Sequence, residues 1–211
     1  MSVNRDLTLE WIKACAAVLA ENKEYLTQLD AAIGDADHGA NMDRGFRKVI
    51  EKMPEYADKD IGTIFKTTGM SLISTVGGAA GPLYGTFFLQ LGMKSAGMME
   101  LNLGDWCTAL DAGLQGVIMR GKAEIGDKTM IDALTPALNS LKKSVEDGKS
   151  LHEALADSAS AAKEGMLSTI PLVARKGRAS YLGERSAGHQ DPGATSSYLI
   201  LQAAADVWAQ S

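Results

Sequence analysis

The sequence is poor in cysteine, proline and aromatic residues, and these shortages exclude several classes of protein. Its 211 residues include two cysteines, five prolines and 6% aromatic residues. Two cysteines cannot build the dense disulfide framework of a small secreted domain. Cys15 and Cys107 stand singly in apolar helical contexts. We therefore expect both to be reduced core residues of a cytoplasmic protein.

Long apolar runs and basic blocks are also missing. No run approaches the roughly 18 apolar residues needed to cross a bilayer, and the polar N-terminus does not resemble a signal peptide. The formal net charge of −5, without a basic stripe, argues against a polymeric nucleic acid as partner. The length fits one domain, 1–211, and we expect no membrane association.

Alternating strand patterns are absent, and apolar residues instead recur at spacings of three and four. This periodicity predicts an all-α protein of about eight helices. The first is expected from about Leu7 to Leu29. Asp60, Asn102 and Ser150 stand where helix N-caps are expected, and the last has the spacing of a capping box.

An acidic turn lies between the first two predicted helices. Segment 30–41 places Asp30, Asp35 and Asp37 within eight residues. Carboxylates on a tight turn suit Mg²⁺, and the following helix N-terminus suits a phosphate. The same residue types are common in capped turns, so the spacing alone leaves both interpretations open. An EF-hand is excluded because the twelfth position from Asp35 is Phe46 rather than glutamate.

Three further polar or glycine-bearing segments separate predicted helices. Residues 77–85 are small, which favours either close approach of a phosphate or close helix packing. Residues 120–130 form the next such segment. Gly116–Ala123, which overlaps its start, nearly matches a P-loop, but we reject that match because it lies on a helical pattern and Ala123 replaces the terminal hydroxyl. Residues 176–195 are rich in cations, as an anion site or a solvated loop would be. Alternate connections of an up-and-down bundle lie at one end, so all four segments should meet at one rim.

Taken together in chain order, these segments resemble the nucleotide-binding L subunit of dihydroxyacetone kinase. The resemblance extends from near the N-terminus to the final helix. The motifs that carry it are Gly34–Gly39, Gly77–Gly85, Arg120–Ala123, Gly126–Met130, Lys176–Gly183 and Gly188–Ala194.

The resemblance implies an eight-helix antiparallel barrel with a nucleotide site at one rim. It implies two Mg²⁺ ions held by Asp30, Asp35 and Asp37 against the diphosphate. Arg178 is our candidate for a catalytic cation at the transition state or phosphate, with a plain structural ion pair as the alternative. The family commonly has serine where this chain has Ala80, so a hydroxyl contact is absent there. The implied nucleotide-binding residues are His38, Asn41, Ala79, Ala80, Gly121, Met130, Arg178, Asp191, Pro192 and Gly193.

The resemblance also implies partners. In one form of the family, ADP is a retained cofactor that a phosphohistidine protein of the phosphotransferase system rephosphorylates, and a separate subunit holds dihydroxyacetone. This chain contains only the L portion, which favours that form. The alternatives are a subunit that consumes ATP to phosphorylate dihydroxyacetone or a related ketose, and a non-enzymatic nucleotide-bound adaptor. The sequence leaves open whether the protein forms a homodimer.

Overall fold

The computed structural model describes residues 2–209 and confirms the predicted all-α class. Its described residues form nine α-helices, two 3₁₀ segments (Met53–Glu55 and Arg178–Ser186) and one pair of two-residue antiparallel strands, β1 (Val3–Asn4) and β2 (Glu100–Leu101). No helix in this range is long and apolar enough to cross a membrane. The helices are α1 (Arg5–Glu21), α2 (Lys23–Ile33), α3 (His38–Lys52), α4 (Ile61–Thr75), α5 (Ala80–Lys94), α6 (Leu103–Gly121), α7 (Ile131–Glu146), α8 (Leu151–Ser168) and α9 (Pro192–Trp208).

The first predicted helix is divided in two at Asn22. Both the backbone N–H and the side-chain amide of Asn22 donate to the carbonyl of Val18, at 3.0 and 2.8 Å. An asparagine side chain that bonds a nearby carbonyl competes with the regular helical ladder. The expected helix from residue 7 to 29 is therefore α1 followed by α2, which accounts for nine helices rather than eight between residues 2 and 209.

The helices form a closed ring around an aromatic centre. From α3 to α9 each helix packs against the next, α9 packs against α1, and α1 packs against α3. The ring of Trp11 lies 5.8 Å from Phe65, 5.5 Å from Trp106 and 5.1 Å from Trp208. Each of these edge contacts adds about 0.5–1.5 kcal/mol beyond the area buried. The ring of helices holds the connections at its two ends in fixed positions.

The two ends of the ring differ in how the helices begin. At one end the side chains of Asn4, Asp60, Asn102 and Ser150 cap α1, α4, α6 and α8. The last three are the predicted caps and are confirmed; each such cap typically contributes about 1 kcal/mol. At the other end α3, α5 and α7 begin without a side-chain cap among residues 2–209. The first N–H groups of α3 and α7 are bonded by other side chains, since His38 donates to Asp30 Oδ2 at 3.1 Å and Ile131 donates to Thr129 Oγ1 at 3.2 Å.

Candidate functional site

A cavity of about 810 Å³ opens at the end where α3, α5, α7 and α9 begin. All four connections that were predicted to meet contribute to its lining, so that prediction is confirmed. Asn41 is the predicted site residue that does not line it; its carboxamide oxygen instead accepts a bond from Arg44 at 2.6 Å. The predicted residues that do line the cavity are Asp30, Asp35, Asp37, His38, Ala79, Ala80, Gly121, Met130, Arg178, Asp191, Pro192 and Gly193.

The acidic turn brings its three carboxylates together at the cavity. One oxygen from each of Asp30, Asp35 and Asp37 lies within 4.8 Å of the others. Asp30 is 9% exposed, and its Oδ2 accepts bonds from the backbone N–H groups of Asp37 and His38 at 2.8 and 3.1 Å. The turn is therefore folded around the Asp30 carboxylate. Clustered carboxylate oxygens are the donor set that Mg²⁺ prefers, so these residues fit a magnesium site.

Backbone geometry keeps this turn tight. Ala36, between two of the aspartates, has a positive φ of 61°. That conformation costs an alanine roughly 1–2 kcal/mol. Gly34 lies so close to Asp30 that an added Cβ would come within 2.1 Å of its Oδ1. The turn thus leaves one carboxylate oxygen of Asp30 facing a residue with no side chain.

We expect Gly34→Ala to displace the Asp30 carboxylate and to lower metal-dependent ligand affinity about tenfold or more. The fold should survive, because Gly34 is exposed and its φ is negative. Calorimetric titration of ADP into the protein with Mg²⁺ present would measure this affinity. Ala32→Ser, a change at an exposed position in the last turn of α2, is the control. Unchanged affinity in Gly34→Ala would contradict the importance of the Asp30 position.

Arg178 reaches the acidic turn from across the cavity mouth. It begins the 3₁₀ segment Arg178–Ser186, and its Nη2 lies 2.9 Å from Asp35 Oδ2. The Arg178 side chain remains 68% exposed. An exposed ion pair of this kind contributes at most about 1 kcal/mol to stability. The guanidinium is therefore available to an anion that enters the cavity.

The small residues at the start of α5 include one that close packing requires and one that borders open space. A Cβ on Gly81 would lie 2.2 Å from the carbonyl oxygen of Val76, so close packing requires glycine there. Gly78 has a φ of 62°, and a Cβ at that position would have no neighbour within 4 Å, so Gly78 turns the chain beside open space. Ala79 and Ala80 follow at the start of α5 and line the cavity. An uncapped helix start with no bulky side chains is suited to bind phosphate.

A hydrogen-bonded network connects His38 to the opposite wall. His38 Nε2 lies 2.8 Å from Ser196 Oγ, which lies 2.6 Å from the Tyr84 hydroxyl. Tyr84 also donates to the carbonyl of Gly193 at 3.0 Å. Burial lowers the pKa of His38 below 6.5, although Asp30 and Asp37 oppose the shift. The network ties the starts of α3 and α9 to α5 across the cavity.

Asp191 caps α9 from a buried position, with its Oδ2 accepting a bond from Ala194 N–H at 2.7 Å. Burial raises the pKa of Asp191 to about 7; Asp132 and Asp30 add to the shift, while the Ala194 bond and Lys128 oppose it. A carboxyl group that is partly protonated near neutral pH carries less negative charge. Asp191 therefore repels an anionic ligand less than an ordinary aspartate would.

Sequence reasoning missed three residues that organise this cavity. Lys128 is buried, and its ammonium group bonds backbone carbonyls; Tyr84 and Ser196 form the network to His38. Lys128 lies within one of the motifs used for the resemblance, but a lysine in a polar turn is expected to be solvated. Tyr84 and Ser196 fall on helical patterns that indicate packing, and no local signal distinguishes them.

Comparison with known proteins agrees with this geometry. The family model described as the DAK2 domain matches residues 32–206. The chain is 52% identical to the Escherichia coli "PEP-dependent dihydroxyacetone kinase, ADP-binding subunit DhaL", over 96% of both chains. It is 39% identical to the Lactococcus lactis "PTS-dependent dihydroxyacetone kinase, ADP-binding subunit DhaL", over 96% of this chain and 97% of that one.

Solved structures show the same fold. The native dihydroxyacetone kinase of C. freundii superposes with a TM-score of 0.74 and 27% identity, covering 95% of this chain and 34% of that chain. The same kinase in complex with AMP-PNP and Mg²⁺ gives a TM-score of 0.69 and 28% identity, covering 93% and 33%. This chain thus spans about a third of the C. freundii protein. From the matched family model and the near full-length identity to separate subunits, the chain belongs to the DAK2 domain family of dihydroxyacetone kinases.

Proposed function

We propose that this protein is the ADP-binding subunit of a dihydroxyacetone kinase. Its bound ADP is rephosphorylated by a phosphohistidine protein of the phosphotransferase system. The phosphoryl group then passes to dihydroxyacetone on a separate subunit. The single observation that carries the proposal is the convergence of Asp30, Asp35 and Asp37 within 4.8 Å, in a cavity that also receives the uncapped start of α5. The 52% identity to an ADP-binding subunit supports it.

The cavity offers a matching surface for each part of ADP. Its volume of about 810 Å³ falls within the usual range for small-molecule sites. The three aspartates would hold two Mg²⁺ ions, and the backbone at Ala79 and Ala80 would meet the phosphates. Gly121 and Met130, at the ends of the α6–α7 connection, would line the adenine or ribose. The segment Asp191–Gly193 would close the remaining wall.

In the proposed reaction, this chain positions groups and stabilises charge. A dihydroxyacetone hydroxyl oxygen forms a bond to the terminal phosphorus, its proton passes to solvent or to a base outside this chain, the bond to the ADP oxygen breaks, and ADP stays in the cavity. Bound Mg²⁺ would neutralise negative charge on the phosphates. Arg178, exposed at the mouth, would stabilise the transferring group. No nucleophile on this chain is needed, in keeping with Cys15, whose pKa is raised by burial.

The proposal can be tested by native mass spectrometry of the purified protein with ADP and Mg²⁺. We expect a complex that keeps one ADP with Mg²⁺ through desalting and loses it in EDTA, because the diphosphate is held through the metal. A chain that stays bare under these conditions would overturn the proposal.

Identifying the phosphoryl donor requires a separate assay in which the dihydroxyacetone-binding subunit is present. We expect repeated turnover with the phosphohistidine protein and at most one turnover with ATP alone. The alternative in which ATP is consumed has one observation behind it: the C. freundii kinase, of which this chain covers a third, was solved in complex with AMP-PNP. Sustained turnover with ATP alone would establish that alternative for this chain, and formation of no dihydroxyacetone phosphate with either donor would favour a regulatory adaptor.

A further inference from the structure

Lys128 is the most completely buried cation at the cavity, with 1% of its surface exposed. It lies in the connection between α6 and α7, two residues before Met130. Its ammonium nitrogen bonds the carbonyl oxygens of Thr169 and Leu172 at 2.8 and 3.0 Å, and that of His189 at 2.5 Å. A fourth carbonyl, from Ile170, lies at 3.4 Å. One side chain therefore joins three separate segments of the chain.

These bonds use the full donor capacity of the side chain. A lysine ammonium has three N–H donors and no acceptor. Three carbonyls lie within 3.0 Å, so no donor is left for a phosphate. Two of the three belong to the turn that follows α8, where the Thr169 carbonyl also accepts a bond from Leu172 N–H at 3.2 Å. The ammonium group therefore donates its hydrogen bonds to these carbonyls rather than to a ligand.

The surrounding backbone holds the same three segments together. Arg175 N–H donates to the Asp127 carbonyl at 3.1 Å, and Gly188 N–H donates to the Ile170 carbonyl at 2.7 Å. Asp191 N–H donates to Thr169 Oγ1 at 3.0 Å. Lys128 itself has a positive φ of 64°, a conformation that a non-glycine residue keeps only where its surroundings fix it.

We propose that Lys128 is a positioning residue that sets the separation of two nucleotide-contacting walls of the cavity, the wall at Met130 and the wall at Asp191–Gly193. The inference rests on the proposed function, because it assigns a nucleotide to this cavity. Lys128 acts through the backbone and does not touch the nucleotide. The metal-binding side is separate, since the bonds of Lys128 reach neither α2 nor α3.

The test compares ADP binding in the wild type, Lys128→Met and Ile64→Ala. Methionine keeps roughly the length of the side chain but removes the ammonium donor that the carbonyls of Thr169, Leu172 and His189 share. We expect the Kd for ADP to rise about tenfold or more in Lys128→Met. The ratio of the affinities measured with Mg²⁺ and with EDTA should stay as in the wild type, because the aspartates are undisturbed. Partial unfolding would lower both affinities by the same factor, so thermal unfolding curves must also show that Lys128→Met is folded at the assay temperature.

Ile64→Ala is the matched control for stability. Ile64 is fully buried in α4 and does not line the cavity. Its truncation should lower the melting temperature while leaving the Kd for ADP unchanged. Wild-type-like ADP affinity in Lys128→Met would overturn the positioning role, while failure of the wild type to bind ADP would overturn the proposed function instead.

A second measurement uses the wild-type protein and so does not depend on the variant folding. Lysines are acetylated with acetic anhydride, with and without ADP and Mg²⁺, and located by mass spectrometry. We expect Lys128 to stay unmodified in both states, since its ammonium is buried against carbonyls. Modification of Lys128 in the free protein would show that the carbonyls do not hold its ammonium group, and would overturn the inference.

Discussion

Asp30→Asn is expected to weaken ADP binding in the presence of Mg²⁺ at least 100-fold, equivalent to about 2.7 kcal/mol. An asparagine keeps one oxygen that can accept the bonds from Asp37 and His38 N–H, so the turn should still form. It loses the negative charge and the second oxygen that a divalent cation requires. The effect should therefore fall on the metal-dependent part of the affinity.

Calorimetric titrations of ADP with Mg²⁺ and with EDTA would separate the metal-dependent part of the ADP affinity from the metal-independent part. In EDTA we expect Asp30→Asn and the wild type to bind ADP with similar, weak affinity. Asp43→Asn is the matched control, because Asp43 is a buried aspartate of α3 that pairs with Arg47 at 2.8 Å outside the cavity lining. If Asp30→Asn retained full affinity with Mg²⁺, the magnesium assignment of the acidic turn would be wrong.

Arg178→Met is expected to reduce kcat for dihydroxyacetone phosphorylation about 1,000-fold in the assembled kinase. Arginines that stabilise a transferring phosphoryl group contribute roughly 10³–10⁵ to kcat. Arg178 is suited to this role because its exposed guanidinium reaches the mouth and contacts Asp35 at 2.9 Å. The Kd for ADP should change less than about tenfold, since the metal would hold the diphosphate.

The measurement is the rate of dihydroxyacetone phosphate formation with the partner subunits at saturating concentrations. Arg185→Met provides the control, as an exposed arginine of the same 3₁₀ segment that does not line the cavity. If the Arg178→Met enzyme were as fast as the Arg185→Met enzyme, Arg178 would be an ordinary surface ion-pair residue with no role in catalysis.

The parts of the structure that depend on local chemistry were predictable from the sequence. Helical periodicity indicates the all-α class, and the caps at Asp60, Asn102 and Ser150 depend on residues only three positions away. The meeting of the four connections followed from alternation of helix direction, without side-chain detail. The break at Asn22 was missed because Asn22 sits within a continuous apolar pattern, which hides competition for a single carbonyl.

The parts that depend on distant contacts were not predictable. His38 and Ser196 are 158 positions apart, and Lys128 bonds a carbonyl 61 positions away. Helical periodicity reports which face of a helix is buried but not which polar atoms meet there. Asn41, which the resemblance assigns to the nucleotide, bonds Arg44 and lies outside the cavity lining; its role at the nucleotide stays a prediction.

The closed ring also determines where neighbouring polypeptide could be attached. Trp208, at the end of α9, donates from Nε1 to the carbonyl of Leu7 at 3.1 Å. The end of the last helix therefore lies beside the start of the first. Since α9 starts at the cavity and is 17 residues long, this junction lies about 25 Å from the cavity. A domain attached at this junction would lie at the end of the ring opposite the cavity. This arrangement suits a module that recurs both as a separate subunit and as about a third of a longer kinase.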